Sequence, residues 1–148
     1  MSLRQKILDK LFNFYPPYLG AGVKLVKASD DQRYCKVEMP LKLYNRNYVG
    51  THFGGSLYSM VDPWYMLMLM KNLGKNYIVW DKAATIRFKK PGKSKVHAEF
   101  KLSQDDIDEI KSFLETHTKM DKVFHVEIRD THDNLIAEVD KTIYIKKK

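Results

Sequence analysis

Apolar residues recur at helical spacing at the start of the chain, at Leu3, Ile7, Leu11 and Phe14 or Tyr15, which predicts an amphipathic helix over 2–15. Ser2 and Gln5 have capping-box spacing. Pro16-Pro17 is expected to stop this helix, because proline lacks the amide proton and restricts the residue before it. The period then changes to two. Val23–Ala28 and Tyr34–Met39 read as strands around the turn S-D-D-Q, with Cys35, Val37 and Met39 on one face. Pro40 to Val49 looks irregular. A strand over 77–90 sets Ala84, Ile86 and Phe88 against Thr85, Arg87 and Lys89. Pro91-Gly92 turns the chain, and the strand over 95–102 sets Val96, Ala98, Phe100 and Leu102 against Lys95, His97, Glu99 and Lys101. Residues 104–118 predict a surface helix. Ser103 caps it, Asp105, Asp106, Asp108 and Glu109 suit its positive end, and Ile107, Ile110, Phe113 and Leu114 form its stripe. Val123–Arg129 and Leu135–Ile145 flank the turn T-H-D-N as a hairpin. Lys141 interrupts the inward alternation of that last strand and reads as a bulge or an edge position.

The segment 55–73 differs from all of these. It is apolar nearly all round, with Leu57, Met60, Val61, Trp64, Tyr65, Leu67, Met68 and Leu69, and a helix of that kind has to be enclosed. Strand pairs that can run antiparallel, with helices between them, predict an α+β fold. One curved sheet around one helix satisfies both demands. Asp62 lies inside the apolar run, where a carboxylate without partners costs several kcal/mol or stays protonated. Two readings follow. Asp62-Pro63 can be an N-cap and first residue of a helix that starts there. Alternatively the helix starts at Gly55 or Ser56, and Pro63 bends it beside a carboxylate that needs a partner or a cavity.

The 148 residues suit a single domain spanning 1–148. Cys35 is the one cysteine, which excludes an internal disulfide and a cysteine-rich metal site. The N-terminus does not resemble a secretory signal. The run Trp64–Met70 is far shorter than the ~20 residues a membrane span needs. A soluble, cytoplasmic protein is expected. The net charge of +8 favours anionic partners.

Gly54-Gly55 stands just before the apolar run. At a helix start such amides have no internal partner, and the dipole adds positive charge, so they can hold an anion or polarise a carbonyl. From Asn47 to Asp62 the sequence reads N-x-x-G-x-x-F-G-G-x-x-x-x-x-x-D. This resembles the signature of hotdog-fold acyl-CoA thioesterases of the phenylacetate-pathway type, N-x-x-G-x-x-H-G-G with an acid at the same offset. It resembles still more closely an uncharacterised thioesterase-like branch that carries F-G-G and an Asp-Pro pair.

The resemblance implies a hotdog fold, a long central helix wrapped by a curved antiparallel sheet, here with an extra N-terminal helix and the surface helix at 104–118. It favours the long, bent form of the central helix. It implies hydrolysis of an acyl-CoA or related thioester in a homodimer or homotetramer whose site lies at a subunit interface. Asp62 would be base or nucleophile, Gly55 the polarising amide and Asn47 the orienting side chain. The family's His position is Phe53 here, and His52 is shifted by one. His52, Phe53 and Gly54 are expected around the substrate, with Arg87, Lys89 and Lys90 toward the phosphates of coenzyme A. No cofactor is expected beyond coenzyme A as part of the substrate, and no metal, since no two histidines stand at ligand spacing near a carboxylate. The alternative is a non-catalytic acyl-chain or lipid-binding hotdog domain, which the loss of the family's His motivates. A basic surface for nucleic acid is not expected.

Overall fold

In a computed structural model the described residues are 3–148, and in the first helix the side chains of residues 4–6, 8 and 9 stand outside that description. The capping pair Ser2 and Gln5 therefore lies outside the described residues. Helix α1 covers Leu3–Phe12 and a short α2 covers Pro16–Ala21. Pro16-Pro17 ends the first helix but also begins the second, since proline's missing amide costs nothing in a first turn. The stripe Leu3, Ile7, Leu11 and Phe14 faces outward. The segment docks through Phe12, whose ring lies 4.7 Å from that of Trp64, and through Asn13. The Asn13 side chain accepts from the Leu25 amide at 2.7 Å and donates to the Leu25 carbonyl at 3.2 Å, along the outer edge of the first strand.

The strands are β1 (Lys24–Ala28), β2 (Tyr34–Met39), β3 (Tyr77–Phe88), β4 (Val96–Lys101), β5 (Lys119–Asp130) and β6 (Leu135–Lys147). They form one antiparallel sheet in the order β1-β2-β4-β5-β6-β3. The alternating residues of β2, β4 and β6 bury one face each, including Val37, Met39, Ala98, Phe100, Val139 and Ile143. Helix α5 (Gln104–Thr116) follows β4. Its cap is the one expected: Ser103 Oγ accepts from the Asp106 amide at 3.0 Å, and Asp106 bonds back to the Ser103 amide.

The central helix is long and bent. It runs as α3 (Gly54–Val61) and α4 (Trp64–Leu73), and Asp62 and Pro63 at the junction both keep right-handed helical backbone angles. Six side chains near the bend are buried: Met60, Val61, Trp64, Tyr65, Met68 and Leu69. At about 1.5–3 kcal/mol each, they outweigh the ~3 kcal/mol that an internal proline costs. Tyr18 of α2 stitches the bend, donating to the Met60 carbonyl at 2.9 Å and accepting from Trp64 Nε1 at 2.6 Å. Enclosure is incomplete in one chain. Gly55 and Met70 are exposed, and Ser59, Asp62 and Met66 are half-buried. These positions recur every three or four residues and form one open stripe along the helix.

Lys141 is neither a bulge nor on an edge strand. It pairs in register with Phe124 of β5 on one side and Ala84 of β3 on the other, and its side chain is 1 % exposed. Its inward position is regular; what differs is the company it finds. The bulge lies in the neighbouring strand, where the register slips between Asp81 and Ala83. Lys82 is the extra residue and turns away to Asp121 at 2.6 Å. That slip lets Asp81 face inward before it, and Ala84, Ile86 and Phe88 face inward after it.

Candidate active site at the bend of the central helix

Asp62 does not cap α4 with its side chain. Its Oδ1 accepts from Lys141 Nζ at 2.9 Å and from the Tyr58 hydroxyl at 3.1 Å. Tyr58 precedes it by one helical turn, so both lean the same way. The hydroxyl of Tyr58 also accepts from Lys141 Nζ at 3.1 Å, and the ammonium lies 5.2 Å from the Tyr58 ring centre. Asp81 Oδ1 completes the group at 2.9 Å from Nζ. That oxygen is buried and lacks hydrogen-bond alignment with any described partner, so charge rather than a directed bond holds it. The Asp62 side chain is half exposed, at 50 %. No hydrogen bond to its Oδ2 occurs among the described residues.

One ammonium thus serves two carboxylates. Burial by itself pulls the Lys141 pKa down, but Asp81, Tyr58 and Asp62 outweigh it and the net shift is upward, so the group stays charged. Burial pushes Asp81 up, and Lys141 only partly offsets it. Burial also raises Tyr58, which keeps its proton for donation.

The glycines sit at the other end of α3. Gly54 and Gly55 are its first two helical residues after Phe53. The Ser56 and Leu57 amides both bond to the Phe53 carbonyl, whereas neither glycine amide has a backbone partner among the described residues. A side chain on Gly54 would meet the Phe88 ring at 3.0 Å, and one on Gly55 the Phe53 ring at 2.7 Å. Phe53 and Phe88 are both exposed, beside Gly55 and Gly54 respectively.

Asn47 closes the loop before the helix. Its Oδ1 accepts from the amides of Val49 and Thr51, and its Nδ2 donates to Thr51 Oγ1 at 2.8 Å. His52 is buried. Its Nε2 meets the Ser94 carbonyl at 2.7 Å, which requires the proton there, and its Nδ1 has no partner. Burial lowers its pKa. Arg87 reaches Asp140 at 2.7 Å and Lys89 reaches Glu138 at 3.1 Å, on the face of β3 opposite Ile86. Lys90 is exposed and makes no ion pair among the described residues. Among the described residues no group of three metal-ligating side chains occurs, and no described helix is long and apolar enough to cross a membrane.

Sequence reasoning missed Lys141, Tyr58 and Asp81. Tyr58 was within reach, four residues before Asp62 on a predicted helix. Asp81 depends on the slip at Lys82, which the change from odd apolar positions (Tyr77, Val79) to even ones (Ala84, Ile86) records only faintly.

A bent central helix held by a six-stranded antiparallel sheet, with paired glycines at its start, is the hotdog fold of thioesterase-like proteins. A Pseudomonas aeruginosa protein of unknown function, whose name calls it a probable thioesterase, superposes with a TM-score of 0.83 at 18% identity, over 100% of this chain and 99% of that one. A Haemophilus influenzae thioesterase gives 0.69 at 15% identity, over 99% and 92%. The E. coli PaaI protein of the phenylacetic acid degradation operon gives 0.64 at 13%, over 97% and 92%. No curated relative matches by sequence. The chain belongs to the family described as Domain of unknown function (DUF4442), whose profile matches residues 4–145.

Proposed function

We propose that the protein hydrolyses acyl-CoA or a related acyl thioester, with Asp62 as base or nucleophile and the Gly55 amide as carbonyl polariser. The observation that carries this is the placement of Asp62: one oxygen anchored below by Lys141 and Tyr58, the other open to the stripe along the helix. As base, Oδ2 takes a proton from the attacking water. The water oxygen bonds to the carbonyl carbon, the carbon–sulfur bond breaks, and the thiol leaves with a proton returned from the carboxyl. The names of two fold relatives, one a probable thioesterase and one a thioesterase, support the reaction class.

A second subunit completes the site in this reading. Gly55 and Asp62 are seven residues apart, about 10 Å along the helix axis, whereas catalytic hydrogen bonds span about 2.6–3.2 Å. One carbonyl cannot touch both in one chain. Two central helices side by side and antiparallel would bring the Asp62 of one copy to the glycine amides of the other. Exposed Met70, with Ile78 and Trp80 on the bare edge strand β3, supplies apolar surface for that pairing. Phe53 and Phe88 would then line the acyl entrance. Coenzyme A phosphates would meet Lys90 directly and draw Arg87 and Lys89 from their acids.

The test is thiol release from a panel of acyl-CoAs, acetyl through palmitoyl and phenylacetyl. The protein should turn over at least one, and Asp62→Asn should lower that rate 100-fold or more. Turnover that ignores the substitution removes Asp62 from the reaction.

A specific feature favours the second reading, acyl-chain binding without turnover. An apolar cavity of about 770 Å³ lies between α1, β1, β2 and α4, lined by Phe12, Leu25, Tyr34, Trp64 and Met68. Asp62 instead faces β6 and β3, at the other end of the strand order. A fatty chain found by native mass spectrometry, with no acyl-CoA cleaved, would select this reading.

A further inference from the structure

Resting on the reading of Asp62 above, we propose that Lys141 and Tyr58 are positioning residues that aim the carboxylate, holding Oδ1 from beneath so that Oδ2 alone is presented to substrate. Lys141 enters from β6, the strand beside the bulged β3, and is the only cation within ion-pair distance of Asp62 among the described residues. Its Nζ reaches Asp62, Asp81 and the Tyr58 hydroxyl, each within 3.1 Å. Two hydrogen bonds, to Asp62 Oδ1 and the Tyr58 hydroxyl, and the charge of Asp81 at 2.9 Å hold the ammonium from three sides, so its direction is set. Other titratable groups stand off. Tyr18 of α2 feels Asp62 only through charge while bonding Met60 and Trp64, Lys82 points outward, and β5 offers Phe124 at the paired position.

Stability alone gives little reason for this residue. Replacing a buried ion pair with apolar side chains of similar size is often neutral or stabilising. Every other inward position of β6 is already apolar: Ile136, Ala137, Val139, Ile143 and Ile145. A methionine at 141 would fit that series. What the lysine adds is local. Its charge opposes the burial that pushes Asp81 toward its protonated form, and it prevents Asp62 from rotating so as to share its oxygens between the cluster and the solvent. Asp81 acts one step further back, holding the ammonium from the β3 side.

The experiment uses octanoyl-CoA and palmitoyl-CoA hydrolysis by the intact protein across pH 5–9, with Lys141→Met and Tyr58→Phe. Lys141→Met should lower kcat at least 10-fold with KM within about 3-fold, and shift the acid limb of the pH–rate profile upward. With the ammonium gone, one of the two facing carboxylates takes up a proton more readily. Tyr58→Phe should lower kcat about 3-fold with less movement of the limb, and it keeps the proposal testable if Lys141→Met does not fold. Folded variants with unchanged kcat and profile, beside an inactive Asp62→Asn, overturn the proposal while leaving the thioesterase reading intact. A second readout does not need turnover. The buried Lys141 ammonium should give a protected ¹⁵N resonance that moves on Asp62→Asn and on Tyr58→Phe. If no thioester is cleaved, that movement supports the positioning role, and its absence overturns it.

Discussion

Replacing Tyr18 with Phe removes one oxygen from a site where two other groups depend on it. The hydroxyl accepts from the indole of Trp64 at 2.6 Å and donates to the carbonyl of Met60 at 2.9 Å, and Tyr18 itself is 1 % exposed. After Tyr18→Phe the indole N–H is buried without an acceptor. A buried donor left alone costs about 1–3 kcal/mol, and the lost bond to the carbonyl adds about 1 kcal/mol. The expected total is about 2–4 kcal/mol, which lowers Tm by about 4–16 °C in a chain of this size. Urea unfolding measures it directly, and the slope with denaturant should not change. Burial holds the phenol pKa well above its ordinary value, so it remains a donor and the loss should be equal at pH 6 and pH 9. A cycle with Trp64→Phe should show coupling of about 1 kcal/mol or more. A loss under about 0.5 kcal/mol, or additive single variants, would refute the account of how the bend is held.

His52 supplies a pH dependence. Its folded pKa lies below the ordinary 6.5, because burial disfavours the charged ring and Nδ1 has no partner. Its contribution is therefore fully present above pH 6.5 and is lost as pH falls through the folded value, with a slope of at most about 1.4 kcal/mol per pH unit. Chemical denaturation between pH 7.5 and 5 should show that slope in the wild type and not in His52→Gln; equal slopes refute it. Gly22→Ala should cost about 2–4 kcal/mol, from the left-handed backbone together with crowding in a packed interior. Gly22 has φ of 80°, and the new Cβ would lie 2.9 Å from the Asn45 amide nitrogen, whose side chain is itself bonded to the carbonyls of Ala21 and Pro40. A melting temperature within 1 °C of wild type would show that the turn relaxes freely.

Local chemistry was the legible part. Ser103 and Asp106 announce α5 by a cap that needs only neighbouring residues. The alternation in β2 and β4 survives in their burial because both strands lie inside the sheet and present one face to the helix. The bend was legible as two alternatives, and long-range burial around Pro63 decided between them. Lys141 was misread because one strand's pattern cannot say what waits opposite. A cation at an inward position looks like an error until Asp62, 79 positions earlier, and Asp81 are folded against it. Pro16 was read as a stop for a related reason: proline ends one helix and suits the first turn of the next equally well, and only the docking of Tyr18 at the bend selects the second. His52 was placed near substrate on its neighbours, yet Gly92 and Ser94, from a distant turn, hold it inside.

Asn13 has a consequence for assembly. By occupying the Leu25 amide and carbonyl it plugs one rim of the sheet, while the rim along β3 stays bare. A ribbon with both rims bare can add copies without end, as fibres do. With that rim blocked at Leu25, pairing through β3 would use the one remaining rim of each copy, and an edge-to-edge array built that way would close at two copies instead of growing.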